Sequence, residues 1–425
     1  NDYIREGFQV VEEKKDDKML VPGSGFSGET PQPATLGAGP GSDAKAIARW
    51  DVVPFQTITN KLNVGVLAYH INDIKSVDFS LDSGPWISVT ETSINPDTNV
   101  DEYFVTFDAK GLSDGLHEIR AIAYPNVGIP RVLSGDFASH SGSLFLNSNS
   151  KGTLREVFMW VAPEGNDGNP CTEALPCASP FRVAQRGADL NNNADGVTVY
   201  MKKSADGTPG RYAWPRTYWP APYTYTRFLT ISSAPGLDRS EVIFDRGVAP
   251  NSDGAYDQAG GFGTSKVHMK DLTFERTAAN TDNSGNRGNP YGGAWLWLQN
   301  VHFDGKGSGL GRPHSGWDGI WATDGSSVDS YEWAFYGALL LRGVRITKIS
   351  SQGWQDVGGI FYSTIDVIDP SLYPERGVHP DLEYWWGMSG DVNAIRKNLR
   401  VYDSSAQTIF IKNGVPISNV VWDNV

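Results

Sequence analysis

Apolar and polar residues alternate in short runs along residues 46–147. Alternation with a period of two, in runs rich in Val, Ile, Phe and Tyr, is typical of strands that bury one face. The turn signals DSG at 82–84 and SDG at 113–115 separate some of these runs. The runs read AIARWDVVPF, LNVGVLAYHI, SVDFSLD, WISVTE, EYFVTFDA, HEIRAIAY and SLFLN. This density of short strands, about seven in about 100 residues, predicts a β-sandwich.

A different pattern repeats in the remainder of the chain. The segments KDLTF (270–274), QNVHF (299–303), RGVRI (342–346), KNLRV (397–401) and SNVVW (418–422) share one order of residues. A polar residue and a small or amide residue precede an apolar, an arbitrary and a second apolar position. Such a strand cannot bury its apolar face alone, but stacked copies bury it together. Stacked turn residues would also form hydrogen-bonded amide ladders, so the repeat predicts a parallel β-helix.

These patterns divide the chain into three parts. Residues 1–45 are predicted to form an N-terminal arm and linker, because 23–45 are rich in Gly, Pro, Ser and Thr. Residues 46–150 are the predicted sandwich, and 151–425 the predicted β-helix, which SNVVW leaves open at its C-terminal end. The predicted fold class is therefore all-β, with an arm, a sandwich and a solenoid in that order.

Charge and composition limit the partners. The 425 residues carry a formal charge of −13, which argues against nucleic acid and anionic membranes, because no basic patch offsets it. We find no apolar run long enough for a membrane-spanning helix. The acidity is compatible with Ca²⁺, although no calcium-loop motif is present and the sequence assigns no metal ligands. No nucleotide or redox cofactor is implied.

Two parts of the chain resemble known families. VDFSLDSGPW and LSDGLHEIRAIAY resemble segments of bacterial immunoglobulin-like modules. Residues 160–203 resemble the entry segment of right-handed parallel β-helix proteins of the pectate-lyase-like superfamily. The matching positions are Gly165, Asp167, Gly168, Thr172, Pro176 and Asp195 to Tyr200. This resemblance implies a capping helix over about 180–190 and an open groove that binds or cleaves polysaccharide. At one tight turn Cys171 stands where the family usually has Gly.

The two cysteines, Cys171 and Cys177, do not have the spacing of a zinc site. They are either two free thiols or one disulfide, and we expect a disulfide that closes a surface loop. A disulfide would indicate an oxidising setting, outside the cell or on a cell or virion surface.

Candidate chemistry concentrates in three stretches, 312–325, 351–370 and 376–386. Carboxylates there could act as acid and base or hold Ca²⁺, and aromatic rings could stack on sugars. The predicted catalytic residues are Asp318, Asp356, His379, Asp381 and Glu383. The predicted substrate-binding residues are His314, Trp317, Trp321, Trp354, Arg376 and Trp385. Similar local patterns, WDGIW and WQDVGGIF, predict that Asp318 and Asp356 project from the same flank of the coil.

The stretch RGVHPDLEYWW (376–386) divides into two faces if it is a strand. Leu382, Tyr384 and Trp386 would then form a core face, with Glu383 and Trp385 on the opposite, groove-lining face.

Two functions stay open. The first is an extracellular polysaccharide-recognising β-helix protein that acts as a lyase or hydrolase. The second is a non-catalytic structural or adhesive subunit of a virion fibre or surface filament, which would assemble through the arm or through the open end of the β-helix.

Overall fold

A computed structural model describes residues 18–26, 28–135, 141–180, 195–212, 227–245, 266–275, 291–307, 313, 315–369, 371, 380–386, 389–411 and 416–425. Of residues 245, 291–294 and 315–318 it describes the backbone alone. The protein is all-β, with long parallel sheets in a solenoid-like fold, as the sequence predicted.

Two packed sheets form the N-terminal sandwich. Their strands are β1 Ile47–Trp50, β2 Thr57–Ile58, β3 Lys61–Tyr69, β4 Ile74–Leu81, β5 Ile87–Val89, β6 Ser93–Ile94, β7 Asp101–Asp108, β8 Gly115–Pro125, β9 Arg131–Leu133 and β10 Leu144–Ser148. One sheet has the order β1-β3-β7-β6 and the other β2-β10-β8-β4-β5, with β9 beside β8. All seven predicted strands are confirmed. The strands β2, β6 and β9 were not predicted, because two or three residues are too few to show alternation.

Alternating side chains from both sheets fill the sandwich core. Strand β7 turns Val105 and Phe107 inward, where they pack with Val64 of β3 and Phe79 of β4, and all four side chains are buried. Burial of a side chain of this size stabilises the fold by about 1.5–3 kcal/mol relative to exposure. The alternation in the sequence therefore reflects a real division between core and surface.

The described part of the arm lies along the sandwich. Leu20 is buried in the sandwich core, and its backbone N–H donates to the carbonyl of Thr106 at 2.9 Å. Further along, Leu36 and Gly128 exchange two backbone hydrogen bonds of 2.8 Å. Residues 18–26 and 28–45 thus contact their own sandwich, through Leu20 and Leu36 among others.

The second half of the chain coils into three parallel sheets. Its strands are β11 Glu156–Val161, β12 Gly196–Met201, β13 Gly210–Tyr212, β14 Leu229–Ser233, β15 Val242–Asp245, β16 Lys266–Lys270, β17 Thr273–Glu275, β18 Tyr291–Gln299, β19 His302–Asp304, β20 Ser315–Thr323, β21 Ser327–Asp329, β22 Trp333–Tyr336, β23 Ala338–Arg342, β24 Arg345–Ile349, β25 Gln352–Gln355, β26 Gly359–Phe361, β27 Thr364–Ile368, β28 Asp381–Trp385, β29 Gly390–Lys397, β30 Arg400–Ser404, β31 Gln407–Ile411 and β32 Ile417–Asp423. The first sheet contains ten strands, β11-β12-β14-β16-β18-β20-β23-β26-β29-β32. The second contains eight, β13-β15-β17-β19-β21-β24-β27-β30, and the third contains four, β22-β25-β28-β31.

The repeat residues lie at the corner between the first and second sheets. Asp271, Asn300, Gly343 and Asn398 have φ of 54°, 53°, 62° and 51°. This left-handed conformation suits Gly, Asn and Asp, which explains why those residue types recur there. The Asn300 amide donates to the Asp271 carboxylate at 2.7 Å. The predicted side-chain ladder is therefore confirmed at this step.

The fifth repeat segment has a different register from the other four. Asn419 lies inside β32, at the level of a register shift opposite Asp391 to Ala394 of β29. The corner position of that coil is held instead by Asn424, which has φ of 54° and donates to the Asn398 side chain. The alignment of SNVVW with the other segments was therefore off by one corner, although its residues form a strand as predicted.

At the start of the solenoid, Cys171 and Cys177 form a disulfide, which confirms the predicted pairing. Cys171 has φ of 60°, so it adopts the left-handed turn conformation for which the resemblance expected Gly. A side chain on Gly165 would collide with the Cys177 carbonyl, which explains the glycine there. The helix predicted over about 180–190 falls almost entirely on residues 181–194, outside those described.

The sandwich packs on the outer face of the ten-stranded sheet. Trp295, Trp297 and Trp321 of the β-helix form one buried cluster with Phe55 and Leu67 of the sandwich.

Polar contacts join the same two surfaces. The Arg49 guanidinium donates to the carbonyls of Leu339 at 2.9 Å and Asn393 at 3.0 Å. The Asn393 amide bonds the backbone N–H and carbonyl of Ala48 at 2.9 and 2.7 Å. Contacts of this kind, between backbone and buried side chains, fix the two sheet systems against each other.

Candidate functional site

The three predicted site stretches are distributed over all three sheets of the β-helix. Residues 315–323 form β20 of the ten-stranded sheet, so Trp317 and Asp318 lie on that strand, and their side chains are not described. His314, Arg376 and His379 lie outside the described residues. The second and third stretches contribute β25 and β28, which pair in the four-stranded sheet.

Trp321 occupies the interface with the sandwich. Its ring centroid is 5.7 Å from that of Trp295, and its side chain is buried in the interface cluster. A sugar cannot reach a ring that the sandwich already covers. Its position therefore gives Trp321 a packing role in place of the predicted role in substrate binding.

Strands β25 and β28 bring most of the remaining candidates side by side. Gln352 pairs with Asp381, Trp354 with Glu383, and Gln355 with Tyr384. Two stretches that are separated in sequence thus form one surface. The spacing and composition of the two stretches did not predict which of their residues would pair.

Four of these candidates are buried. Asp381, Trp354, Glu383 and Trp385 are all at most 1% exposed. The Glu383 carboxylate accepts a hydrogen bond from the guanidinium of Arg396. These side chains do not line an exposed groove, which corrects the predicted exposure of Glu383 and Trp385.

The predicted division of β28 into two faces is right only in part. Leu382, assigned to the core face, is buried in the core, but Trp386 of the same predicted face is 47% exposed, and Trp385, assigned to the groove, is fully buried. Asp381, Leu382 and Glu383 are buried in succession, so simple alternation does not describe this strand.

Asp356 lies at the corner between the third and first sheets. It has φ of 50°, a conformation that Asp tolerates better than most residues. One carboxylate oxygen accepts from the Trp386 backbone N–H at 3.0 Å, and the other from the Gln355 amide at 3.2 Å. These bonds hold Gln355 and Trp386 in place, so Asp356 acts as a turn and positioning residue in this geometry.

A column of side chains, with Tyr336 exposed and Gln355 buried, crosses the third sheet. Tyr336, Gln355, Tyr384 and Phe410 lie in register on its four strands. The Tyr384 ring stacks on Phe410 at 5.1 Å and 28°, and on Trp386 at 5.4 Å and 25°. We call these five residues the aromatic column. It was not predicted as a unit, because its members come from four separate segments.

Gln355 is the buried member of the aromatic column, with 4% exposure. Its amide nitrogen donates to Asp356, and its Oε1 atom is buried without a hydrogen-bond partner in the described part of the chain. A ligand on the surface cannot reach this atom, so Gln355 supports the column through Asp356, which also binds the Trp386 backbone N–H.

Tyr384 lies beside it. Burial, to which the charges of Asp381 and Asp356 add, raises the pKa of the Tyr384 phenol. Its hydroxyl therefore stays protonated and can donate.

Within the described ranges, no three His, Cys, Asp or Glu side chains converge as metal ligands. Of the same residues, none belongs to a helix long and apolar enough to cross a membrane.

Comparisons with known proteins give one structural likeness. No family model matches the chain, and no curated protein matches it. A solved structure of a rhamnogalacturonan lyase is similar over 62% of this chain and 87% of that chain, with 13% sequence identity and a TM-score of 0.27. A likeness at this TM-score carries no argument about function, so the function must be inferred from the site itself.

Proposed function

We propose that this protein recognises polysaccharide through the aromatic column and does so without cleaving it. The observation that carries the proposal is the stacking of the half-buried Tyr384 ring on the exposed Trp386 ring. Aromatic faces of this kind cover the C–H faces of sugar rings, and the Tyr384 hydroxyl can donate to a sugar oxygen. Strands in a sheet are about 4.8 Å apart, so the column offers several successive contacts along an extended chain.

The described carboxylates favour binding over catalysis. Glycoside hydrolysis commonly uses two carboxyl groups about 5–10 Å apart across the scissile bond. Asp356 is engaged by the Trp386 N–H and the Gln355 amide, and Glu383 by Arg396. With their oxygens engaged in this way, Asp356 and Glu383 are suited to hold the fold rather than to transfer protons.

The proposal extends to the setting of the protein. The disulfide supports an oxidising, extracellular location, on a cell or virion surface. A sandwich of the immunoglobulin-like kind followed by a β-helix of the pectate-lyase-like kind would then serve as an adhesive or filament subunit. In this proposal the boundaries fall at residues 45 and 150, close to where the sheet system changes between β10 and β11.

The test is a binding screen against neutral and acidic polysaccharides by affinity electrophoresis. Trp386→Ala should weaken binding of any retained polysaccharide at least tenfold, or about 1.4 kcal/mol. Tyr402→Ala is the matched control, because Tyr402 is a similarly exposed aromatic residue on the eight-stranded sheet. Equal binding by Trp386→Ala and wild type would refute the proposal for this site. Release of reducing ends or unsaturated products by the wild type would refute the non-catalytic part.

A further inference from the structure

Two buried carboxylates lie where the sandwich meets the β-helix. Asp51 directly follows β1, and Glu102 lies on β7. Their side chains are 0% and 1% exposed. Asp51 Oδ2 and Glu102 Oε2 are both buried without a hydrogen-bond partner in the described part of the chain.

The two side chains share their surroundings. The Asp51 N–H donates to the Gly65 carbonyl at 3.0 Å, and a side chain on Gly65 would collide with the Glu102 carboxyl group. The Thr98 hydroxyl donates to Glu102 Oε1 at 3.1 Å and also acts on the Asp51 carboxyl group. Gly65 and Thr98 therefore bring the two carboxyl groups to the same site.

The charges around the pair do not balance. Arg342 of β23 donates to the Asp51 carbonyl at 2.7 Å and to its Oδ1 at 2.8 Å. The same guanidinium lies 3.7 Å from the Asp324 carboxylate. The charged groups that act most strongly on the pair are thus one cation and one further anion. The remaining neighbour of Glu102 is neutral, the Asn95 amide at 2.8 Å.

We propose that Asp51 and Glu102 share one proton, and that this proton makes the joint between sandwich and β-helix sensitive to pH. One carboxyl group then donates through its O–H to the other carboxylate, which gives a partner to both unbonded oxygens. Without the proton, two negative charges face each other in a site from which water is excluded. Such a pair cannot ionise fully without a large cost.

The direction of the pH effect follows from the electrostatics. Burial raises the pKa of Asp51 to about 6, although Arg342 acts against it. Burial, with the charge of Asp51, raises the pKa of Glu102 well above its ordinary value. Below the unfolded pKa of about 4, a carboxyl group whose pKa is raised in the folded state is protonated in both states and does not change the stability. As pH rises through the folded pKa values, ionisation of these groups destabilises the fold. The joint between sandwich and β-helix should therefore be most stable in mildly acidic solution and less stable above neutrality.

Glu102→Gln is the informative variant. Its Oε1 can still accept from Asn95 and Thr98, and its amide N–H can donate to Asp51 Oδ2, as the protonated acid would. We expect the unfolding equilibrium constant of the wild type to rise at least tenfold between about pH 5 and pH 8.5, the size of a one-unit pKa shift. In Glu102→Gln this rise should be mostly lost, and the variant should be the more stable protein at pH 8.5.

Glu118→Gln provides the control, because Glu118 is a buried glutamate of the same sandwich that accepts from the Ser143 hydroxyl. It should keep the pH dependence of the wild type. Infrared spectra of the folded protein give a second readout: the band of a protonated carboxyl group should be present at neutral pH in wild type and Glu118→Gln, and absent from Glu102→Gln. Identical pH dependence in wild type and Glu102→Gln, or the same carboxyl band in both, would overturn the proposal.

Discussion

Glu383 and Arg396 form an ion pair inside the β-helix, with side chains 2% and 0% exposed. The guanidinium also donates to the carbonyls of Val357 and Gly358, and it lies 5.9 Å from the Trp354 ring and 5.4 Å from the Trp385 ring. Arg396 thus contacts residues on both sides of the corner between the third and first sheets. The same corner supports Asp356 and the aromatic column.

Glu383→Ala should lower the free energy of unfolding by about 3–5 kcal/mol, because it leaves the charge of Arg396 buried and unpaired. Urea denaturation monitored by tryptophan fluorescence measures this. The double variant Glu383→Leu with Arg396→Met should be less destabilised than Glu383→Ala, since it removes both charges. A loss below about 1 kcal/mol in Glu383→Ala would contradict a structural role for the pair.

Gln355→Ala should weaken polysaccharide binding indirectly, by about 1–2 kcal/mol, because it removes the hydrogen bond to Asp356, which in turn binds the Trp386 backbone N–H. Isothermal titration with the best ligand of the screen measures the change. Gln407→Ala serves as the control, because Gln407 lies on the same sheet but in a different register column. If Gln355→Ala and Gln407→Ala bind equally well, the support of Trp386 by Gln355 and Asp356 has no part in recognition.

Acid should weaken a second contact of the joint. The Arg131 guanidinium bonds both carboxylate oxygens of Asp391 at 2.6 Å. Burial raises the pKa of Asp391, but the hydrogen bonds of Arg131 and Asn419 outweigh it and lower the value from 3.8 to about 2. A lowered folded pKa gives stability that is present above the unfolded value and is lost as pH falls through the folded one.

Thermal unfolding between about pH 4.5 and pH 2 should show this loss in the wild type and a shallower decline in Asp391→Asn. Asp366→Asn is a suitable control, because Asp366 pairs with the exposed Arg345 on the eight-stranded sheet. An equally steep acid decline in wild type and Asp391→Asn would show that this ion pair does not contribute.

Removal of the disulfide should cost about 2 kcal/mol, because the bond closes a short loop and restricts the unfolded chain only modestly. The double variant Cys171→Ala with Cys177→Ala tests this by calorimetry. Addition of reductant to the wild type should lower its melting temperature in the same way, and reductant should leave the variant unchanged. A wild type that is insensitive to reductant would contradict a contribution of the bond to stability.

Local patterns in the sequence were enough for the main sandwich strands and for four corners of the β-helix. Alternation located the seven main sandwich strands, and the repeated order of polar, small or amide, and apolar residues located Asp271, Asn300, Gly343 and Asn398. These features depend on a few neighbouring residues, so they can be read directly.

The candidate site could be predicted only in part. The stretches 351–370 and 376–386 do meet on one sheet, but Tyr336, Gln355 and Phe410 were not singled out, because register between coils depends on loop lengths. Which residues are buried was even harder to predict from the sequence. The Asn393 contact with Ala48 joins residues 345 apart in sequence, and no local pattern could show that the sandwich would cover Trp321.

The buried tryptophans of the interface also limit which fragments of this protein can be expressed alone. Trp295, Trp297 and Trp321 are at most 8% exposed with the sandwich in place. A fragment consisting of the β-helix alone would expose these indoles as a hydrophobic patch on its outer surface. Such a fragment would tend to aggregate or to bind unrelated proteins. The sandwich is thus a solubility partner that the chain carries with it, and any expression fragment of the β-helix should retain it.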